Sequence, residues 1–183
     1  MSGLLAILLA TAVSASPPLE LDTTLERDTL RVTFRLVEPL PESLEAALPT
    51  GAGVSVRYLI RVRSNRKLWW DKKVWKGEAV AEAVFDPVIG RFRCDLVLDG
   101  VIVNSREVET LEAARRWLVA PDEIRFAMPE SPLKGNLKVR VRAVFSSSTK
   151  WLFFPDTEGT RWVERPIASS PVVAGQSPQP TRE

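Results

Sequence analysis

The chain has 183 residues, of which 45% are hydrophobic and 26% charged, and a formal net charge of +2. That composition fits about one globular domain and excludes a wholly disordered chain, a collagen-like fibre and a polytopic membrane protein. A lone cysteine, Cys94, rules out an internal disulfide, and the lack of histidine removes the commonest general base and metal ligand along with every Ser-His or Cys-His device.

The chain opens with Gly3 to Val13, GLLAILLATAV, an uncharged apolar run. A membrane-spanning helix needs roughly 20 such residues, so the run is short for a span and the right length for a signal-peptide hydrophobic region. Val13-Ser14-Ala15 places small residues at the positions a signal peptidase reads, and Ser16-Pro17-Pro18 follows. Residues 1–15 are therefore expected to be a leader, although Met1-Ser2 brings no Lys or Arg to precede it. The expected location is exported: periplasmic or membrane-associated. Cys94 lies too far from the cleavage point to carry a lipoprotein's lipid.

Beyond the leader, period-two alternation dominates, the pattern of strands with one dry face. Leu30, Val32, Phe34 and Leu36 alternate with Arg31, Thr33 and Arg35. Pro41 to Leu48, PESLEAAL, opens with Pro and acids and stops at Pro49, which predicts a short helix. Val54, Val56, Tyr58, Ile60 and Val62 then alternate with Ser55, Arg57, Arg61 and Arg63. Ala79, Ala81, Ala83 and Phe85 form the next stripe, and Phe92, Cys94, Leu96 and Leu98 another. Asp86-Pro87-Val88-Ile89-Gly90 and Asp99-Gly100 are turn signals, so residues 79–107 read as a three-strand meander. Glu109 to Val119, ETLEAARRWLV, predicts a second helix with Leu111, Ala114, Trp117 and Leu118 near one face. Leu137, Val139, Val141, Ala143 and Phe145 oppose Lys138, Arg140 and Arg142. From Ala168 the chain is rich in Ser, Pro and Gln and reads as a disordered tail over 168–183.

One-sided strands of this kind suit antiparallel sheets. The expected fold is mainly β: an antiparallel β-sandwich or curved sheet over residues 19–167, with two short connecting helices at its edges or ends.

Charge is uneven. From Arg57 to Lys76 there are eight bases against the single acid Asp71, a local net charge of +7, with Trp69, Trp70 and Trp75 interleaved. A second basic stretch, Lys134 to Lys150, contains no acid, whereas acids dominate Glu20 to Glu45. The structural reading of the first stretch is a solvated strand face whose cations block edge pairing and whose tryptophans cap the core. The functional reading is a surface for an anionic partner, formed by Arg61, Arg63, Arg66, Lys67, Trp69, Trp70, Lys72 and Lys73. Export would leave anionic lipid, acidic glycan or an acidic protein surface as that partner and would remove nucleic acid. A nucleic-acid binder would need residues 1–15 to be retained. Trp151 and Trp162 flank LFFPDTEGTR and are expected to clamp that loop onto the core.

For catalysis the sequence offers little. Cys94 is in phase with Phe92 and Leu96, so a buried, inert thiol is expected. No Gly-rich phosphate loop and no G-x-S-x-G occurs. Asp86, Asp95, Asp99, Glu107, Glu109, Asp122, Glu123, Asp156 and Glu158 fall at turns and strand ends, where carboxylates solvate and cap. No metal, cofactor or catalytic residue is assigned. The competing enzyme reading is a carboxylate-dependent hydrolase of cell-envelope glycan, which would need two facing carboxylates in a cleft.

The order of these features carries a resemblance. PESLEAALPTG, then VSVRYLIRVRSNRKLWWDKKV, VFDPVIGRFRCDL, ETLEAARRWL, NLKVRVRAVF and TKWLFFPDTEGTRW succeed one another. From Leu30 to Trp162 the chain resembles the bacterial domain-of-unknown-function family 4390. The resemblance implies an exported or membrane-associated bacterial protein and supplies no catalytic residues. The expected role is a non-enzymatic binding or scaffold domain.

Overall fold

The alternating segments assemble into two sheets in a computed structural model, which describes residues 18–26, 28–65, 72–128, 136–147 and 159–169. In chain order the strands are β1 (Leu19–Glu26), β2 (Thr29–Leu36), β3 (Val54–Asn65), β4 (Lys72–Asp86), β5 (Arg91–Leu98), β6 (Val101–Val108), β7 (Ile124–Ala127), β8 (Asn136–Ser147), β9 (Val163–Pro166) and β10 (Ala168–Ser169). Helix α1 (Glu42–Ala47) lies between β2 and β3, and α2 (Leu111–Val119) between β6 and β7. The smaller sheet has the order β10-β1-β2-β7 and the larger β6-β5-β4-β3-β8-β9. Among the described residues every strand pairing is antiparallel except that of the two-residue β10, which runs parallel to β1.

The dry faces meet as the period predicts. Leu30, Val32, Phe34 and Leu36 of β2 are buried, as are Val54, Val56, Tyr58, Ile60 and Val62 of β3 and Leu137, Val139, Val141, Ala143 and Phe145 of β8. The alanine stripe of β4 is also buried, and small side chains there leave space for α2, which packs on β4, β5 and β3. Thr110 caps that helix by accepting from the Ala113 amide at 3.2 Å. At the other end the Tyr58 hydroxyl donates to the Leu118 carbonyl at 2.6 Å, satisfying one of the acceptors a helix end leaves open. Burial pushes the Tyr58 phenol well above its ordinary range, so it remains a donor. Phe34 from the opposite sheet lies 4.1 Å from the Tyr58 ring centroid and links the two layers.

The turns behave as their residues require. Asp99 and Gly100 have φ of 46° and 88°, the left-handed pair of a tight two-residue hairpin. Asp86 accepts the Val88 amide at 2.8 Å within the other hairpin.

The structure departs from expectation in four places. Helix α2 sits on the inner face of the larger sheet rather than at an edge, because the alanine stripe makes a shallow seat for Trp117 and Leu118. Strand β4 begins at Lys72, ahead of its alanine stripe. A register shift at Val62/Arg63 breaks the ladder there, and Gly77 interrupts the apolar phase. A Cβ at Gly77 would overlap the Trp75 ring, so the glycine makes room for that ring to pack on Phe126 at 4.5 Å. Strand β1 is absent from the expected strands although Leu19, Leu21, Thr23 and Leu25 alternate with the acids Glu20, Asp22 and Glu26, and β7 and β9, also unexpected, are four residues each. Ala168–Ser169 pair with Thr24–Leu25 as β10. The expected leader (1–15) and residues 170–183 of the expected tail lie outside the described residues.

Candidate functional site

Strand β3 turns its odd-numbered residues to the outer face of the larger sheet, and β8 its even-numbered ones. The register sets these positions side by side. Lys76, Arg61, Arg140 and Glu164 form one row across β4, β3, β8 and β9. In the next row Lys73, Arg63, Lys138 and Pro166 are partners, and in the row on the other side Glu78, Leu59 and Arg142. Neighbouring strands are about 4.8 Å apart, and like charges directly opposite each other destabilise a sheet. The pairing of β3 with β8 thus gathers the two basic stretches of the sequence into one cationic face.

Trp162 joins this face. The Arg61 guanidinium lies 4.5 Å from its ring centroid and that of Arg140 5.4 Å away. The expected clamp on the core is instead a half-buried ring beneath guanidinium groups on the outer face. Trp151 lies outside the described residues.

Acids neutralise the margins of the face more than its middle. Lys138 pairs with Glu164 at 2.8 Å, which also lies 3.4 Å from Arg140 Nε. Arg57 grips Glu78 with two hydrogen bonds of 3.0 and 3.1 Å. Arg61, Arg63, Lys76 and Arg142 form no ion pair with a described residue. The Arg142 Nε is buried without a hydrogen-bond partner among the described residues. A shallow depression of about 320 Å³, lined in part by Arg61, Lys76, Glu78 and Asp99, opens here.

The structure therefore brings Arg61 and Arg63 of the expected surface together. Lys72 and Lys73 are placed in β4 opposite Ser64 and Arg63 by backbone register. Arg66, Lys67, Trp69 and Trp70 lie outside the described residues. Lys76, Arg140, Arg142 and Trp162 belong to the face but not to the surface expected from the sequence. For Arg140 and Arg142 the signal was present as a basic residue at every second position of β8, matching β3, but which strands pair is a tertiary fact.

The candidate catalytic groups are mostly tied to neighbours. Cys94 is fully buried, and burial, opposed by Arg106 and reinforced by Asp95, pushes its thiol up to about 11. Asp95 accepts from Ser105 at 2.5 Å and lies 3.2 Å from Arg93. Asp99 accepts the Glu78 amide at 2.9 Å, and Asp122 accepts from Asn104 at 2.6 Å and from Arg106. Glu107 and Glu109 flank Arg91, and Glu123 pairs with Arg125 at 2.9 Å. Asp156 and Glu158 lie outside the described residues. Among the described residues no group of three His, Cys, Asp or Glu is arranged to hold a metal, and no helix is long and apolar enough to cross a membrane.

Comparison with curated proteins and with solved structures gives no match. The family model described as Domain of unknown function (DUF4390) matches residues 19–152, from β1 through β8. That match takes in most of the order of motifs on which the resemblance rests, and the chain belongs to the DUF4390 family.

Proposed function

We propose that the protein is a non-enzymatic binding domain, exported to the periplasm or to the membrane surface, whose cationic sheet face holds an anionic partner of the cell envelope. One observation carries this reading. Lys76, Arg61 and Arg140 stand in adjacent positions on three neighbouring strands, with Glu164 as the acid at the end of the row. Such an arrangement costs the free protein repulsion that an anion across the face would relieve. Trp162 holds two of the guanidinium groups over its ring, which fixes their position before binding. The GLLAILLATAV run supports export. Binding rather than hydrolysis is favoured because the carboxylates at turns and strand ends serve as partners to arginines, amides and side-chain donors.

The test is co-sedimentation with vesicles of anionic or zwitterionic lipid across ionic strength. The wild-type protein is expected to bind anionic vesicles at low salt and to release them as salt rises through the range where screening shortens to about 10 Å. Arg61→Glu with Arg63→Glu should abolish that preference while the melting temperature holds. Equal partition of the wild type onto both vesicle types would refute the lipid as partner.

A further inference from the structure

A second cationic site lies away from the sheet face, between the margins of the two sheets. The β2–β7 ladder ends at the Val32–Ile124 pair, so β2 from Thr33 to Leu36 runs on without β7 beside it. Strand β6 closes the order of the larger sheet as its outermost strand. Residues of β2, of β6 and of α2 line a cleft of about 750 Å³ where these margins approach the helix. That is the size of pocket that takes one small molecule, roughly 300–1,000 Å³.

The lining is of two kinds. Leu36, Val108, Trp117 and Val119 make an apolar floor. Arg35 from β2, Arg106 from β6 and Arg116 from α2 converge on it, with Asp122 as the acid among the lining residues. Two of these cations are already engaged. Arg35 pairs with Glu20 at 2.7 Å, while Arg106 pairs with Asp122 and lies 4.1 Å over the Trp117 ring centroid. The exposed Arg116 side chain has no ion pair or hydrogen bond to a described residue.

We propose that this cleft binds a small amphipathic anion, a carboxylate or phosphate head on an alkyl or aryl body. Arg116 takes the head, and the body lies on the half-buried Val108 and Val119. An apolar floor beside an unengaged guanidinium selects this class. A purely polar anion would leave the floor wet, and a neutral hydrocarbon would leave Arg116 unused. The site is independent of the sheet face, since none of its lining residues belongs to β3, β4 or β8.

The test is isothermal titration of the full chain with decyl phosphate and with decanoate, both kept monomeric, and with decanol as the neutral control. Saturable binding of both anions is expected, at least tenfold tighter than decanol. Arg116→Ala should weaken the anions tenfold or more at an unchanged melting temperature, Arg116→Lys should restore part of the loss, and Arg61→Glu should leave binding as it is. Absence of saturable binding, decanol within tenfold of the anions, or Arg116→Ala binding like the wild type would each overturn the proposal. Loss of binding in Arg61→Glu would place the ligand on the sheet face instead and overturn it as well.

Discussion

Cys94 shows how a residue's phase sets its chemistry. It stands opposite Ala83 on β4 and Arg106 on β6, with its side chain in the dry layer. Its thiol is raised from 9.0 to about 11 by burial, so between those values the unfolded chain has lost a proton that the folded chain keeps. The folded state then binds more protons, and stability falls as pH rises across that window. Buried Tyr58, raised for the same reason, adds to the loss above its ordinary pKa of 10.0. Urea unfolding at pH 8 and at pH 11 is expected to show the decline, and Cys94→Ala should flatten it over the lower part of that range. A thiol reagent at pH 8 should react with Cys94 only after denaturant is added.

At the scale of the element, the period of two decides which substitutions the fold tolerates. On β8 Val141 faces inward with 0% exposure, while on the neighbouring β3 Arg61 faces solvent and stacks on Trp162. A carboxylate at Val141 would enter the layer between the sheets at a cost of several kcal/mol. Val141→Asp is therefore expected to unfold the domain in thermal melts, whereas Arg61→Glu should melt within a few degrees of the wild type. The alternation of β3 and β8 can be read directly from the sequence because each strand buries one face only. The first half of β4 cannot be read this way. Its register shift, and the glycine that admits the Trp75 ring, replace a periodic signal by a local packing solution.

For the whole molecule, the consequence lies in how the larger sheet ends. β6 is its outermost strand, and Val101, Ile102 and Val103 on it are 64%, 61% and 51% exposed. Three consecutive β-branched residues on an uncovered edge are a template for pairing with another chain. Ile102→Lys should raise the protein concentration at which light scattering first grows. It should shift unfolding free energy by no more than about 0.5 kcal/mol, as expected of a surface site. Opposite in character is the other end of that sheet. There β4, β3, β8 and β9 carry the cationic face.

The sequence by itself determined that this is a mainly β protein with two short helices, the phase of β2, β3, β5 and β8, both hairpin turns and the burial of Cys94. Each of these depends on residues within a few positions of one another, where alternation and turn chemistry act. Only the tertiary structure decided that β3 lies beside β8, joining two distant basic stretches through Arg61 and Arg140, and that Trp162 stacks beneath them. The same holds for the cleft where Arg35, Arg106 and Arg116 meet. Strand pairing and the meeting of sheet margins depend on contacts between residues far apart in the chain, and these are selected by the packing of the whole core rather than by any local pattern.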